Sequence, residues 1–319
     1  MSSDDDARED TSEKYVALDT TMADLRRDDG QWRPLPREQQ AFLSRRLSEC
    51  SPIFRKWPAF ASDKETAEAF AMRFLAQREG YSWTLDFSGD LFCELAYEGF
   101  LSTSLELSMA DSAPLQVMLP WNDPTRNTLD WSELHVSKNA RKRAKRYTMT
   151  VDAAYDEVML QCIRMHGEGW LYRGLRWLLR RLFSSGYQGQ LGIQVGVHSF
   201  ELWDSEGRLV AGDLGYAVGA IYTSMTGFRL QDTQGAGEVQ LVLTAALLKK
   251  MGYAWWDLGM TMKYKGKLGA RVVSRGEFVE RLKGDRDTRV NFAHERIGGG
   301  ELMAWLLSPK TAEPGWELC

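Results

Sequence analysis

Residues 121–146 concentrate the chemistry of this chain. They run W-N-D-P-T-R-N-T-L-D-W-S-E-L-H-V-S-K-N-A-R-K-R-A-K-R, an aromatic turn followed by a dense basic run. Lys138, Arg141, Lys142, Arg143, Lys145 and Arg146 fall within one element of a protein whose formal net charge is only −4, so the positive charge is local. Lys138, Arg141, Lys142 and Lys145 lie three and four apart, which on a helix sets them along one face. Such a row attracts phosphates through counterion release. The competing reading is a solvated helix face. Elsewhere the sequence holds no hydrolase nucleophile motif, no phosphate-binding Gly loop and no metal-ligand cluster. His135, His166, His198 and His294 have no zinc-like spacing. Gly212, Gly215 and Gly219 lie inside a strand pattern, so bulges or close packing explain them better than a dinucleotide loop. Catalysis would have to use something other than a standard triad or a metal.

Periodicity defines the elements that must position these residues. Helical spacing predicts helices over 38–47 and over 65–78, the second carrying Phe70, Phe74 and Leu75. Alternation predicts a strand over 81–87, then a helix over 89–100 ended by Gly99, and a strand over 101–107. The basic helix follows. From Tyr147 a larger pattern begins: a strand over 148–151, a helix over 152–165, and an amphipathic helix over 172–184. That last helix packs through Leu175, Leu178, Leu179 and Leu182, with Gly186 placed to stop it. Strands are expected over 195–203, 209–218 and 220–226, a helix over 238–251 and a strand over 254–258. A docking helix over 302–307 closes the chain. Strands, a helix and another strand make a mixed sheet with helices packed across it.

The chain of 319 residues is long enough for one large or two modest domains. With 44% hydrophobic and 26% charged residues it has a globular composition, and no apolar run approaches the roughly 20 residues of a membrane span. Cys50, Cys93, Cys162 and Cys319 are far apart, which argues for a reducing compartment without a disulfide framework. The acidic N-terminus has neither the apolar segment of a secretory signal nor the character of a transit peptide, so a cytoplasmic protein without a membrane or metal partner is expected. The expected fold class is α+β, a small N-terminal α/β domain followed by a mixed-sheet C-terminal domain. The expected boundaries are 1–34 for a disordered acidic tail, 35–146 for the small domain ending in the basic helix, 147–283 for the large domain, and 284–319 for a C-terminal extension.

Several motifs, in order, carry a resemblance: F-S-G-D-L-F-C-E-L-A-Y-E-G-F, P-W-N-D-P-T-R, E-L-H-V-S-K-N-A-R-K, the Gly169-Trp170-Leu171 step, H-S-F-E-L-W, R-L-V-A-G, T-S-M and K-L-G-A-R. Over roughly 87–282 the chain resembles the leucyl/phenylalanyl-tRNA–protein transferases, which add Leu or Phe from charged tRNA to proteins beginning with Lys or Arg. The resemblance implies that 147–283 is an N-acetyltransferase-like (GNAT-like) transferase domain, shared with the Fem-type peptidyl transferases. It implies aminoacyl-tRNA and acceptor proteins with a basic N-terminal residue as partners, a role in N-end-rule degradation, and no cofactor, because the ester is already activated. It places Lys138, Arg141, Lys142, Arg143 and Lys145 on the tRNA acceptor stem. Trp121 and Trp170 become walls for the terminal adenosine and amino acid, and Tyr222 and Met225 the lining of an apolar side-chain pocket. Asp257, ending the W-W-D-L-G strand, becomes the catalytic residue that orients the incoming amine. The chain departs from the family pattern at Thr223, Gly259, Gly237 and Glu238. The alternatives are a noncatalytic tRNA- or N-terminus-binding protein of the same fold and an acyl-CoA-dependent N-acyltransferase.

Overall fold

The computed structural model describes residues 30–61, 64–78, 80–109, 112–185, 193, 195–291 and 296–308. Most of the expected acidic tail, the helix stop at Gly186, His294 and Cys319 lie outside the described residues. The described strands separate into two sheets. A hairpin of β1 (Leu101–Met109) and β2 (Ser112–Trp121) forms the small antiparallel sheet. The large one has eight strands in the order β10 (Arg296–Gly298), β4 (Thr148–Val151), β5 (Val195–Trp203), β6 (Leu209–Val218), β7 (Ile221–Arg229), β8 (Trp255–Gly259), β3 (Thr125–Leu129), β9 (Arg271–Ser274). Neighbours are antiparallel except β7 and β8. A parallel pair needs a long crossover, and α8 (Ala236–Lys250) supplies it. The architecture is a mixed α/β one.

Each face of the large sheet is covered because β5 and β6 alternate apolar side chains to both sides. Val195, Val197, Leu214, Tyr216 and Val218 pack on α4 (Gly89–Tyr97), α6 (Tyr155–His166) and α7 (Arg173–Ser185). Phe200, Leu202, Ala211, Tyr222 and Trp256 pack on the other side beneath α8, α5 (Lys138–Ala144) and α11 (Gly299–Leu306). Helix α8 is buried nearly all round, and it enters through Gly235, whose φ of 81° a side chain would strain. A bulge at Met225 shifts β7 against β6, where Leu214 faces Thr226 but Gly215 faces Ser224. It swaps the side to which even-numbered side chains point: Tyr222 joins the α8 side and Phe228 the α6 side.

The helices α1 (Arg37–Cys50) and α3 (Ala67–Leu75) match the expected ones, and β4, β5 and β6 fall on their expected bounds. The expected strand over 81–87 is instead an extended segment making single bridges, Tyr81 to Trp121, Thr84 to Met118 and Trp83 to Ala59. The short helix α2 (Pro52–Lys56), the strands β2, β3, β9 and β10, and the helix α10 (Arg275–Asp285) were not legible by pattern. Strand β3 buries Arg126, Asn127 and Thr128, so it shows no apolar alternation although it lies deep in the sheet. The expected boundary at 146/147 falls between α5 and β4, yet β3 before it and β10 beyond 283 belong to the same eight-stranded sheet.

Candidate functional site

The parallel pair β7–β8 is hydrogen-bonded over Ile221 to Trp255, Tyr222 to Trp256 and Thr223 to Asp257, and the pairing stops there. Strand β7 continues to Arg229 and β8 to Gly259, so the backbone from Ser224 and from Leu258 leaves the shared ladder. A crevice at the carboxyl ends of parallel strands is where open α/β sheets hold ligands. Polar groups gather there on both sides of the sheet.

On the α8 side, the Tyr222 hydroxyl and the Ser224 Oγ each donate to Asp213 Oδ1 at 2.9 Å, and Trp256 Nε1 donates to Ser224 Oγ at 2.9 Å. Burial pushes the Asp213 carboxyl up to about 7, against the pull of both donors and of Lys265. Tyr222 is fully buried with its ring against Phe200. It therefore does not share a pocket with Met225, which is half-buried at the bulge and packs on the α6-side core. The expected apolar pocket is divided by the sheet, because residues three apart on a strand point to opposite faces.

Asp257 and Arg126 are both fully buried. Arg126 Nε donates to Asp257 Oδ1 at 2.9 Å and Nη2 to Oδ2 at 2.8 Å, and the Gly259 N–H donates to Oδ1 at 2.8 Å. The guanidinium lies over the rings of Trp121 at 5.0 Å and Phe278 at 4.6 Å. Burial works against the Arg126 charge, but Asp257 beside it leaves the guanidinium held charged more firmly than usual. Both oxygens of the expected amine-orienting carboxylate are thus already engaged. Trp121, expected as a wall of the site, is 3% exposed and has a buried Nε1 with no partner among the described residues. Trp170 is half-buried, and its carbonyl accepts from the Ser104 N–H at 2.8 Å, which ties the loop before α7 to β1.

Beyond β8 the chain turns into the short helix α9 (Lys263–Gly266). Lys265 reaches back, and its Nζ donates to the carbonyls of Leu258 at 2.6 Å and Met260 at 2.8 Å. Burial pushes its ammonium down to about 8, while Asp257 and Asp213 favour the charge. Sequence reasoning passed over Arg126, Asp213 and Lys265. The K-Y-K-G-K run has the appearance of a solvated charge cluster, and the Arg126–Asp257 pair spans the chain too widely for spacing to show it.

The basic helix α5 starts at Ser137, whose Oγ accepts from the Ala140 N–H at 3.0 Å, and it buries Ala140 and Ala144. Lys138, Arg141, Lys142 and Lys145 are exposed, as their spacing predicts. Arg143 turns the other way and lies against Gly235 at the entrance of α8. Among the described residues none of these five cations has a carboxylate within ion-pair distance, whereas Arg208 and Arg281 are each paired with aspartates. A cavity of about 330 Å³ lined by Leu35, Arg37, Phe87, Trp177 and Arg181, among others, shares no lining residue with the crevice.

Residues 128–283 match the family model described as leucyl/phenylalanyl-tRNA protein transferase. A leucyl/phenylalanyl-tRNA–protein transferase of Stutzerimonas stutzeri is 32% identical over 173 residues, covering 52% of this chain and 71% of the relative. The one from Pseudomonas aeruginosa PAO1 is 30% identical over 177 residues, covering 54% and 73%. The solved structure of L-PGS from Bacillus licheniformis aligns with 50% of this chain and 46% of its own at 14% identity and a TM-score of 0.29, too little to carry an argument. The relatives are aminoacyltransferases. The chain belongs to the leucyl/phenylalanyl-tRNA–protein transferase family.

Proposed function

We propose that this protein transfers an amino acid, leucine, phenylalanine or a related one, from charged tRNA to the N-terminal amine of an acceptor protein, and so feeds N-end-rule degradation. The observation that carries this reading is the row of cations on α5 that no carboxylate among the described residues neutralises. In the reading, Lys138, Arg141, Lys142 and Lys145 contact the acceptor-stem phosphates without reading sequence. Arg143, lying on Gly235, ties that grip to the α8 entrance. The aminoacyl ester then occupies the crevice where β7 and β8 part, with Met225 and Trp170 as half-buried apolar contacts. A GNAT-like fold for 147–283, and acceptors with a basic first residue, belong to the same proposal. Asp257 changes role: it serves through Arg126 and Gly259 as the strut of the crevice. The chemistry needs little beyond positioning and charge stabilisation, since the ester supplies the activation.

The test is transfer from radiolabelled Leu-tRNA and Phe-tRNA to an acceptor beginning with Lys, with acetyl-CoA in a parallel reaction. Label in the acceptor from charged tRNA is the expected result. Binding of charged tRNA without transfer would assign a noncatalytic role, and acetyl transfer alone would point to acyl-CoA chemistry.

A further inference from the structure

Lys265 is 7% exposed, an unusual place for an ammonium. Two of its protons go to the carbonyls of Leu258 and Met260, which flank Gly259, and its third N–H has no partner among the described residues. Its charged surroundings come from each element around it: Asp257 on β8, Asp213 on β6, Arg126 on β3, and the Tyr264 ring at 5.8 Å on α9 itself. The surface just outside carries Met260, Met262 and Tyr264, all exposed. Gly259 lies close against β7: at its φ of 73° a Cβ would meet the Ser224 carbonyl at 3.3 Å, tighter than an ordinary contact. An ammonium therefore lies at the point where β7 and β8 part, behind an apolar rim.

We infer that Lys265 is a catalytic residue of the transfer reaction, pinned by the Leu258 and Met260 carbonyls so that its remaining N–H stabilises the oxyanion formed on the aminoacyl ester. The inference rests on the transferase reading. The lone pair of the neutral acceptor amine forms the new C–N bond while the carbonyl π electrons move to oxygen, where the ammonium meets them. Collapse restores the carbonyl and breaks the bond to the ribose 3′ oxygen. That oxygen leaves with the proton given up by the attacking nitrogen, passed through water, so an amide and a free 3′ hydroxyl result. Burial works in favour of this role, since a cation in a poorly hydrated site acts on a developing charge more strongly than one in water.

The role requires the charged form. With the ammonium held down to about 8, transfer should decline above about pH 8, on top of the rise that deprotonation of the acceptor amine gives at lower pH. Lys265→Met keeps the apolar stem, and Lys265→Arg stays charged throughout. The measurement is the kcat and KM for charged tRNA against pH, with melting temperature recorded for each variant. We expect Lys265→Met to lose at least tenfold in kcat with KM changed less than about twofold, and Lys265→Arg to lose the decline above pH 8. A folded Lys265→Met variant with parental kcat overturns the inference, as does a Lys265→Arg variant whose profile still falls at the parental pH. If Lys265→Met does not fold, the Lys265→Arg profile alone decides. A parent that transfers nothing from any charged tRNA overturns the transferase reading and this inference together, whereas an active parent with indifferent variants overturns only the inference.

Discussion

Asp257 and Arg126 hold each other in a fully buried, two-bond contact, and this geometry sets what a substitution at Asp257 would do. Removing one charge leaves the other buried without its counterion, a change that costs about 3–5 kcal/mol in comparable pairs. Asp257→Asn is therefore expected to lower stability in urea denaturation by that order, and to lose transfer as a consequence. Replacing both partners by apolar residues, Arg126→Met with Asp257→Leu, should recover most of that stability. An Asp257→Asn protein that keeps parental stability while transfer falls tenfold would instead return this carboxylate to contact with the substrate. The sequence marks Asp257 by its place at the end of W-W-D-L-G. Its partner is hidden, because the bond links residues 131 apart. Lys265 is hidden for another reason: among neighbouring lysines only burial distinguishes it.

The exposed row on helix α5 was legible in spacing alone, and the cap at Ser137 and the two buried alanines fit the same helix. The structure adds that Arg143 faces Gly235 instead, so a charge-reversal test should leave it in place. Reversing Lys138, Arg141 and Lys142 to Glu should weaken binding of tRNA almost equally for every tRNA sequence. It should also flatten the dependence of log K on log salt by about 0.7–0.9 for each phosphate that is no longer neutralised. Affinity equal to the parent at moderate salt would leave the row as a solvated face. By contrast, the bulge in β7 had no signal. Tyr222 and Met225 lie three apart, so simple alternation already sends them to opposite faces, and the extra residue acts further on, turning Phe228 to the α6 side although Tyr222 faces α8. Strand β3 escaped for a related reason: its buried residues are polar, and hydrophobic patterning cannot find them.

For the molecule as a whole, the polar interior of the large sheet makes stability depend on pH. Asp213 is raised from 3.8 to about 7 by burial, so the fold favours its protonated form. The stabilisation from this group is complete below about pH 4 and is lost as pH climbs to about 7. Asp213→Asn should remove that loss. Between about pH 5 and pH 7.5 the variant is expected to gain stability relative to the parent, on the order of a few kcal/mol. Parallel denaturation curves would show that the Asp213 carboxyl titrates as an ordinary one. The placing of the helices over both faces of a mixed sheet was predictable from the alternation of β5 and β6, while the order of strands at the far edge was not.

That far edge governs when the fold can close. Strand β3 pairs with β8 and β9, which emerge from the ribosome more than a hundred residues later. Until then Arg126 has no carboxylate, and the segment must wait as an unpaired, polar stretch. Pairings of such long sequence separation are slow to form and leave strand edges open during synthesis. The central strands β5, β6 and β7, joined by short turns, can assemble first, and the crevice at β7–β8 is completed only as the last third of the chain arrives. Acquisition of activity is therefore tied to the final stage of folding, and truncations beyond α8 should yield a chain with a basic helix but without a competent site.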